Sequence, residues 1–447
     1  MLRYVRESIV CVGLFLLGVW AMWSLFTPNL FTGHDIEAHI TRIIEFHTAV
    51  QDGQIPPRWG SRFFGGIGSP VLILNYQLPY IVSEILVQLH VSYIDSFKAT
   101  FALGFLLSIG TAYWSFRSIF GLKGGVLATF LYCWAPYRFV DIYVRAAYGE
   151  AFSFIFPPII LYGIHKKKML PLILGFAGLT LSHPVASALF TAFFTVYACV
   201  TYFIQKDWVS LRLFFSAFCI GILISAYNVL PTLLETRYTK YSPETSSPLD
   251  HFPTFSQLIR SKWGYGISTP DNKDTMSFRI GYAQLSIAIL ACIVLTVKLA
   301  TTKKKGKVIQ PLFVVFSLVI VLFLMLDISK PMWIAFKMNY ILDFPWRMLM
   351  IIVLFTAYLG GWLVSVAKIP YDTVLLIVFT LLSLRSNINH MKINAIWPLG
   401  IDHYLEFRGT GDAYGEYASA RRLTTRGSTF SQRVEVFHQQ SKAIILK

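Results

Sequence analysis

The residues best suited to chemistry stand close together near the start of the chain, between two apolar runs. Asp35, Glu37 and His39 lie within five positions, and Arg42 follows three residues later. On a helix, Asp35, His39 and Arg42 would share one face because they are spaced at four and seven residues. Such a helix would aim a carboxylate, an imidazole and a guanidinium at one place, so the segment is a candidate site for chemistry.

Two other interpretations of this segment stay open. Asp35 is a suitable N-cap residue, so the polar face could be an ordinary solvated helix surface. Asp35, Glu37 and His39 are also hard or borderline metal ligands, although their spacing matches no strong metal-binding motif. A divalent cation is thus an open question, and no other cofactor is predicted. Ile36 and Ile40 mark an apolar face on the same helix, which favours an amphipathic helix lying in the membrane interface.

Cationic side chains recur beside aromatic rings further along. Arg58 precedes Trp59, and Arg347 follows Trp346. An arginine so placed can bind a phosphate group through two hydrogen bonds. Anchoring in the membrane interface is the alternative, because tryptophan and arginine are common at that depth.

Three further charged residues and a histidine complete the candidate set. Asp141, Arg145 and Glu150 stand in one short polar segment, where acidic residues are costly unless they are paired or functional. An Asp141–Arg145 helical ion pair is the plainer interpretation. His183 precedes Pro184 between two apolar runs, where it is either a hydrogen-bonded helix cap or a catalytic residue.

The composition places most of the chain in a bilayer. Of 447 residues, 55% are hydrophobic and 14% are charged, whereas soluble domains carry about 25% charged residues. The formal net charge of +16 falls largely in short loops between apolar runs, so membrane topology explains it and nucleic-acid binding is not predicted. The five cysteines lie in apolar runs without CxxC spacing, which argues against a zinc site or a disulfide framework.

The apolar runs predict an all-α polytopic membrane protein with about eleven transmembrane helices. Residues 70–90 are broken by polar residues and are interpreted as an interfacial or re-entrant segment. The first run is interpreted as a retained helix because it lacks a clear signal-peptide cleavage site. The predicted spans are 9–27, 96–116, 123–137, 151–165, 169–182, 185–204, 212–230, 280–299, 309–327, 347–366 and 370–385.

The positive-inside rule then predicts the orientation. With a cytoplasmic N-terminus, the basic loops around 117–123, 166–168, 206–212, 303–307 and 368 all lie in the cytoplasm. The long polar segments 28–95, 138–150, 231–278 and 328–346 then lie outside the inner membrane. The domain interpretation is a transmembrane domain, 1–385, with a short extracytoplasmic C-terminal segment, 386–447.

Six short motifs occur in order along the chain: His34-Asp35-x-Glu37-x-His39, Pro56-Pro57-Arg58-Trp59, Gly66-x-Gly68-Ser69-Pro70, Arg145 to Glu150, Ser182-His183-Pro184 and Phe344-Pro345-Trp346-Arg347. Together they resemble a family of bacterial and archaeal membrane proteins called "6-pyruvoyl-tetrahydropterin synthase-related". The layout is similar to that of the GT-C glycosyltransferase superfamily. Soluble pterin synthases use a zinc-binding histidine set that this sequence does not supply.

The GT-C resemblance implies extracytoplasmic transfer of a sugar from a polyprenyl-phosphate carrier to a glycan, lipid or protein acceptor. It implies an acidic base or metal ligand in the first outer loop, which Asp35 matches, with Glu37 as the nearest alternative and His39 in support. Cationic or hydrogen-bonding residues would hold the donor phosphate, and others would support them. The donor-binding candidates are Arg58, Arg145, Arg347 and His183, and the supporting ones are Asp141, Glu150, Trp59 and Trp346.

Two rival functions stay open. One is a lipid or solute transporter, although no repeat of the two halves is visible in the sequence. The other is a catalytically inactive scaffold with the same fold. The second rival arises because Gly415-Glu416-Tyr417 is followed by Ala418-Ser419, where the family resemblance implies Leu-Pro and a larger outer domain.

Overall fold

The computed structural model is helical and describes residues 2–240, 248–270, 273–301 and 308–410. Within those ranges there are isolated β-bridges but no β-strand. The motif at Gly415-Glu416-Tyr417 lies outside the described residues. The predicted all-α class is confirmed.

The first half of the chain contains both long helices and short ones. Its helices are α1 (Leu2–Met22), α2 (Ile36–Gln51), α3 (Phe63–Gly66), α4 (Val71–Leu74), α5 (Leu78–Gln88), α6 (Tyr93–Cys133), α7 (Pro136–Phe139), α8 (Tyr148–Ser153), α9 (Phe156–Lys166), α10 (Met169–Ser182), α11 (Pro184–Gln205) and α12 (Trp208–Glu235). The second half contains α13 (Phe255–Ile259), α14 (Tyr282–Thr301), α15 (Ile309–Leu324), α16 (Lys330–Ala335), α17 (Leu349–Val366), α18 (Tyr371–Asn387) and α19 (Ile401–Leu405).

The chain is an integral membrane protein. In the described ranges, seven helices are long and apolar enough to cross a bilayer, or eight if the bent pair formed by α15 and the segment Asp327–Ala335 is one span. The predicted spans near 151–165 and 169–182 are helical as α9 and α10, but these helices are too short to qualify by length. Residues 70–90 form only α4 and α5, so they make no full span.

Helix α6 is a folded hairpin, which accounts for two of the predicted spans. Gly121 adopts φ +77°, a left-handed conformation that favours glycine. A Cβ added at Gly125 would come within 2.5 Å of the Cα of Arg117, so the two halves of the helix run back along each other. Helix α17 packs closely against the second half, because Gly124 faces the carbonyl oxygen of Gly361.

The basic loops at 117–123, 166–168, 206–212 and 368 meet at one end of the bundle, which we call the basic end. The predicted basic loop at 303–307 lies outside the described residues. Lys123 pairs with Asp372 (2.7 Å), and Arg117 pairs with Glu7. The Lys166 ammonium donates to the carbonyl of Ser118 (2.7 Å). Loops that are distant in sequence therefore share this end.

The opposite end carries α2 and the segment between α6 and α9. Ten of the sixteen residues of α2 are buried, His39 and Arg42 among them, so the interpretation of its polar face as an ordinary solvated surface was wrong. The position of α2 in the membrane interface stays a prediction. The chain near the C-terminus covers α2: the amide of Thr32 donates to Ala395 (2.9 Å), and the amide of Trp397 donates to Leu30 (2.6 Å). We call residues 391–410 the covering segment.

Candidate functional site

The centre of the candidate site is the buried guanidinium of Arg145. Its Nη1 lies 2.6 Å from Oδ1 of Asp141 and 3.0 Å from Oε2 of Glu150. Arg145 closes a π-helical turn, Val140–Arg145, and Ala146 then adopts the left-handed conformation with φ +54°. This reversal lets a residue five positions later face Arg145, which regular helix geometry would not allow.

Arg347 extends this cluster from the 3₁₀ turn before α17. Its Nη1 lies 3.7 Å from Glu150, and its Nη2 lies 3.0 Å from Asp343. The ring of Trp346 lies 4.7 Å from the guanidinium carbon of Arg145. Because three separate segments contribute, we call Asp141, Arg145, Glu150 and Arg347 together the charged cluster.

The pKa values of the two buried carboxyl groups of the charged cluster shift in opposite directions. Burial alone would raise the pKa of Glu150, but Arg145 and Arg347 lower it to about 2. Burial and the neighbouring Glu150 raise the pKa of Asp141 well above its usual value. Oδ2 of Asp141 has no hydrogen-bond partner among the described residues. Glu150 is therefore the carboxylate that balances the arginines at neutral pH, whereas the surroundings of Asp141 favour its protonated form.

Asp35 stands beside this cluster because the backbone holds it there. Its amide donates to the carbonyl of Arg145 (3.0 Å), and the amide of His34 donates to Val144 (3.1 Å). Burial lowers the pKa of His34, while Asp35 opposes this shift and Arg145 adds to it, because both charges are close. Asp35 occupies the N-cap position of α2, but its side chain makes no capping hydrogen bond.

His39 and Glu37 face other neighbours. Nδ1 of His39 lies 2.7 Å from the hydroxyl of Tyr80. Burial and the charge of Arg42 lower the pKa of His39 well below its usual value, so its ring is neutral at pH 7. Glu37 lies towards Tyr404 in the covering segment, where burial and the Glu37 charge raise the pKa of that tyrosine.

A metal site at Asp35, Glu37 and His39 does not fit this geometry. His39 bonds the hydroxyl of Tyr80, whereas Glu37 acts electrostatically on Tyr404 in the covering segment. Across the described ranges, no group of three histidine, cysteine or acidic residues could hold a metal ion.

His183 forms the helix cap that was one of its two interpretations. Its Nδ1 accepts a hydrogen bond from the amide of Ala186 (3.3 Å) at the start of α11. The ring centre lies 5.5 Å from that of Tyr76. Burial lowers the pKa of His183 to about 3, with Glu150 opposing the shift and Arg347 adding to it, so this ring is neutral and adjoins the charged cluster.

Arg58 and Trp59 make no described contact with the charged cluster. The Arg58 side chain is 52% exposed and pairs with Glu235 at the end of α12 (3.3 Å). The ring of Trp59 covers Gly68, where an added Cβ would lie 2.0 Å from its Nε1. Among the described contacts, none joins Arg58 to Asp35 or Arg145.

Sequence reasoning missed several tyrosines and one acid at the site. Tyr137 donates to Glu150, and Tyr80 holds His39. Asp343 could have been found, since it stands four residues before Arg347. The tyrosines gave no signal, because single aromatic residues in apolar runs are usually core residues.

One solved structure with a similar fold comes from Mycobacteria. It is the arabinofuranosyltransferase AftD, with a TM-score of 0.50 and 12% sequence identity. The match covers 86% of this chain and 27% of the mycobacterial chain, so this chain spans about a quarter of that protein. No protein-family model and no curated protein matches the sequence. The likeness is one of fold, and it supports the predicted all-α polytopic membrane architecture.

Proposed function

We propose that this protein is a glycosyltransferase that moves a sugar from a polyprenyl-phosphate carrier to a glycan, lipid or protein acceptor outside the cytoplasm. Asp35 is the general base, and Arg347 meets the donor phosphate. The proposal includes membership of the "6-pyruvoyl-tetrahydropterin synthase-related" family of GT-C type suggested by the motifs.

The reaction is a single displacement. The acceptor oxygen forms a bond to the anomeric carbon while its proton passes to the Asp35 carboxylate. The bond between that carbon and the phosphate oxygen breaks, and its electron pair leaves with the lipid phosphate. Attack from the face opposite the leaving group inverts the anomeric centre. A cation beside the leaving oxygen stabilises the negative charge that develops.

The observation that carries the proposal is the backbone hydrogen bond from Asp35 to Arg145. It fixes a half-exposed carboxylate next to a buried charged cluster, instead of leaving it on a free helix surface. Rigid placement of this kind is what a general base requires.

Arg347 is the better phosphate candidate of the two cluster arginines. Its side chain is 12% exposed, whereas that of Arg145 is 4% exposed and contacts two carboxyl groups. Arg145 then acts as a positioning residue, which holds Glu150 and the backbone at Asp35.

The positive charge of the basic end indicates which end of the helix bundle faces the cytoplasm. Lysine and arginine loops mark the cytoplasmic side of inner-membrane proteins. We place the basic end and the N-terminus in the cytoplasm, and the charged cluster and the segment 386–447 outside it. The division into a transmembrane domain, 1–385, and that outer segment is part of the proposal.

The test uses Asp35→Asn and Asp35→Ala in the purified full chain, with a radiolabelled sugar on a polyprenyl-phosphate carrier and a membrane extract as acceptor. Loss of a general base lowers the rate by about 10²–10⁴-fold. Asp52→Asn is the matched control, because Asp52 is an exposed acid at the other end of α2. Equal transfer by wild type and both Asp35 variants would contradict the assignment.

A further inference from the structure

A group of basic residues lies at the end of the bundle opposite the basic end. We call Lys262, Arg279, Arg385 and Lys392 the outer basic patch. Arg279 is half-buried, and the other three residues are exposed. The positive-inside rule explains lysine and arginine in cytoplasmic loops, so it does not explain cations at this end. A surface with one sign of charge attracts groups of the opposite sign.

Two segments that are distant in sequence form the outer basic patch. Trp263, from the loop between α13 and α14, stacks on His390 at the end of α18, with ring centres 4.1 Å apart and ring planes at 15°. From the same loop, Nη2 of Arg279 donates to the carbonyl of Ser386 (3.0 Å). These contacts bring the basic residues of the loop next to those that follow α18.

Arg279 has no acidic partner among the described residues. The two arginines of the charged cluster each pair with a carboxyl group, and so does Arg58. Asp274, an acid of the same loop as Arg279, accepts instead from the hydroxyl of Ser261 (2.8 Å). Nε of Arg279 is buried and has no hydrogen-bond partner in the described ranges. A half-buried guanidinium of this kind gains free energy when an anion from outside the chain binds it.

The side chain that orients Arg279 is neutral. Nδ2 of Asn387 donates to the carbonyl groups of Trp134 (2.9 Å) and Ser383 (2.8 Å). Its Oδ1 therefore accepts from Nδ1 of His390 (2.9 Å). Nε2 of His390 is then the unprotonated nitrogen, and it accepts from Nη2 of Arg279 (2.9 Å). The guanidinium is thus held in place while its charge stays uncompensated.

Tyr265 connects the outer basic patch to the candidate site. Its carbonyl accepts from Nε2 of His34 (3.3 Å), and His34 directly precedes Asp35. Its hydroxyl donates to the carbonyl of Lys392 (2.9 Å). A molecule that presents a hydroxyl group to Asp35 and extends past Tyr265 therefore reaches the patch.

We propose that the outer basic patch binds carboxylate or phosphate groups of an anionic glycan acceptor, with Arg279 as the main contact. The inference rests on the proposed function and narrows its acceptor to a negatively charged glycan longer than one sugar. The half-buried rings of Trp263 and Tyr265 add aromatic surface beside the cations, and binding sites for organic ligands combine such surface with a few placed polar groups. This combination, together with the connection to Asp35, favours a glycan over a lipid head group.

The test measures binding of fluorescent oligosaccharides to the full chain in detergent by fluorescence polarisation. The probes are an oligogalacturonate, an oligo(glycerol phosphate) and a neutral galacto-oligosaccharide of equal length. We expect one of the two anionic probes to bind at least about tenfold more tightly than the neutral one, because charge-assisted hydrogen bonds are lost with the neutral probe. The tighter anionic probe identifies whether the acceptor carries carboxylate or phosphate groups.

Arg279→Gln should weaken binding of that anionic probe by about tenfold. Arg260→Gln is the matched control, because Arg260 is exposed on the same loop and its loss changes the net charge equally; its binding should stay within about twofold of wild type. If Arg279→Gln does not fold, Lys392→Gln replaces it, since Lys392 is exposed, with an expected loss of about threefold.

Three results would overturn the inference: equal binding of neutral and anionic probes, equal losses in Arg279→Gln and Arg260→Gln, or displacement of the anionic probe by phosphatidylglycerol micelles. The last would show a site for lipid head groups. Two further results separate the inference from the proposed function. If binding depends on Arg279 while Asp35→Asn transfers sugar normally, the patch stands and the base assignment fails. If Asp35→Asn abolishes transfer while Arg279→Gln binds the anionic probe as wild type does, the reaction stands and the patch fails.

Discussion

The two ends of the helix bundle use charge in opposite ways. At the basic end, Lys123 and Lys167 are 39% and 47% exposed and pair with aspartates at the surface. At the other end, Arg145 is 4% exposed, and Asp141 and Glu150 are fully buried. Exposed pairs contribute little to stability, whereas a buried charge left without its partner is expensive. The difference indicates that the basic end orients the protein and the charged cluster holds a defined geometry.

The largest expected effect comes from breaking the charged cluster at its centre. Arg145→Met leaves Glu150 buried with only the more distant Arg347 to balance it. We expect a loss of about 3–5 kcal/mol in the free energy of unfolding, measured by thermal unfolding in detergent. A variant as stable as wild type would show that the cluster is not the rigid centre described above.

The next test separates the two buried acids by their protonation. Glu150→Gln removes the ionised partner of two arginines, and we expect a loss of about 3 kcal/mol at pH 7. Asp141→Asn replaces a carboxyl group whose surroundings raise its pKa and favour the neutral form, so we expect a loss of less than about 1 kcal/mol. Thermal unfolding of both variants at pH 7 gives the comparison, and equal losses would contradict the opposite pKa shifts.

The opposite pKa shifts of Glu150 and Asp141 predict opposite pH dependences of stability. The pKa of Glu150 is lowered by folding, so its contribution to stability is present above its unfolded value and is lost as pH falls towards about 2. The pKa of Asp141 is raised by folding, so its contribution is complete below its unfolded value and is lost as pH rises towards the folded one. Melting curves of Asp141→Asn should therefore show a smaller loss of stability at high pH than wild type does.

A smaller effect is expected at the turn of the α6 hairpin. Gly121→Ala places a Cβ on a backbone with φ +77°, which costs about 1–2 kcal/mol. The matched control is Gly110→Ala in the first half of α6, where an added Cβ meets no atom within 4 Å. If the two variants unfold at the same temperature, the turn does not require a left-handed residue.

The smallest effect is expected at the basic end. Lys123→Met removes an exposed ion pair with Asp372, and the melting temperature should stay within about 2 °C of wild type. A larger fall in melting temperature would show that the exposed ion pairs of the basic end also contribute substantially to stability.

Much of the fold was predictable because a bilayer demands long apolar runs. Each of the eleven predicted spans contains a helix, although α9 and α10 are too short to qualify as spans, and the turn at Gly121 lies between two of them. The burial of α2 was not predictable, because it depends on the covering segment, more than 340 residues away in sequence. No local sequence pattern predicts such a long-range contact.

The candidate site was predictable only in part, for a physical reason. Arg145 and Glu150 meet through a left-handed Ala146, a conformation that alanine does not signal. Arg58, like Arg347, stands beside a tryptophan in the sequence. In the structure, however, it pairs with Glu235 and not with the charged cluster. The roles of Asp35 and the arginines remain predictions until the variants are measured.

The contacts of the covering segment determine at what stage of its synthesis this protein can first become active. The amide of Ile393 donates to the Ser24 side chain (3.0 Å), and the amide of Phe64 donates to Gly409 (2.8 Å), so the loop that carries Asp35 is held by residues made more than 340 positions later. Chains are made at about 5–20 residues per second, and the first outer loop must wait until the covering segment has been synthesised. A nascent chain that has already inserted its early helices would thus expose Asp35 without its final surroundings, and reactivity would begin only after assembly of the whole bundle.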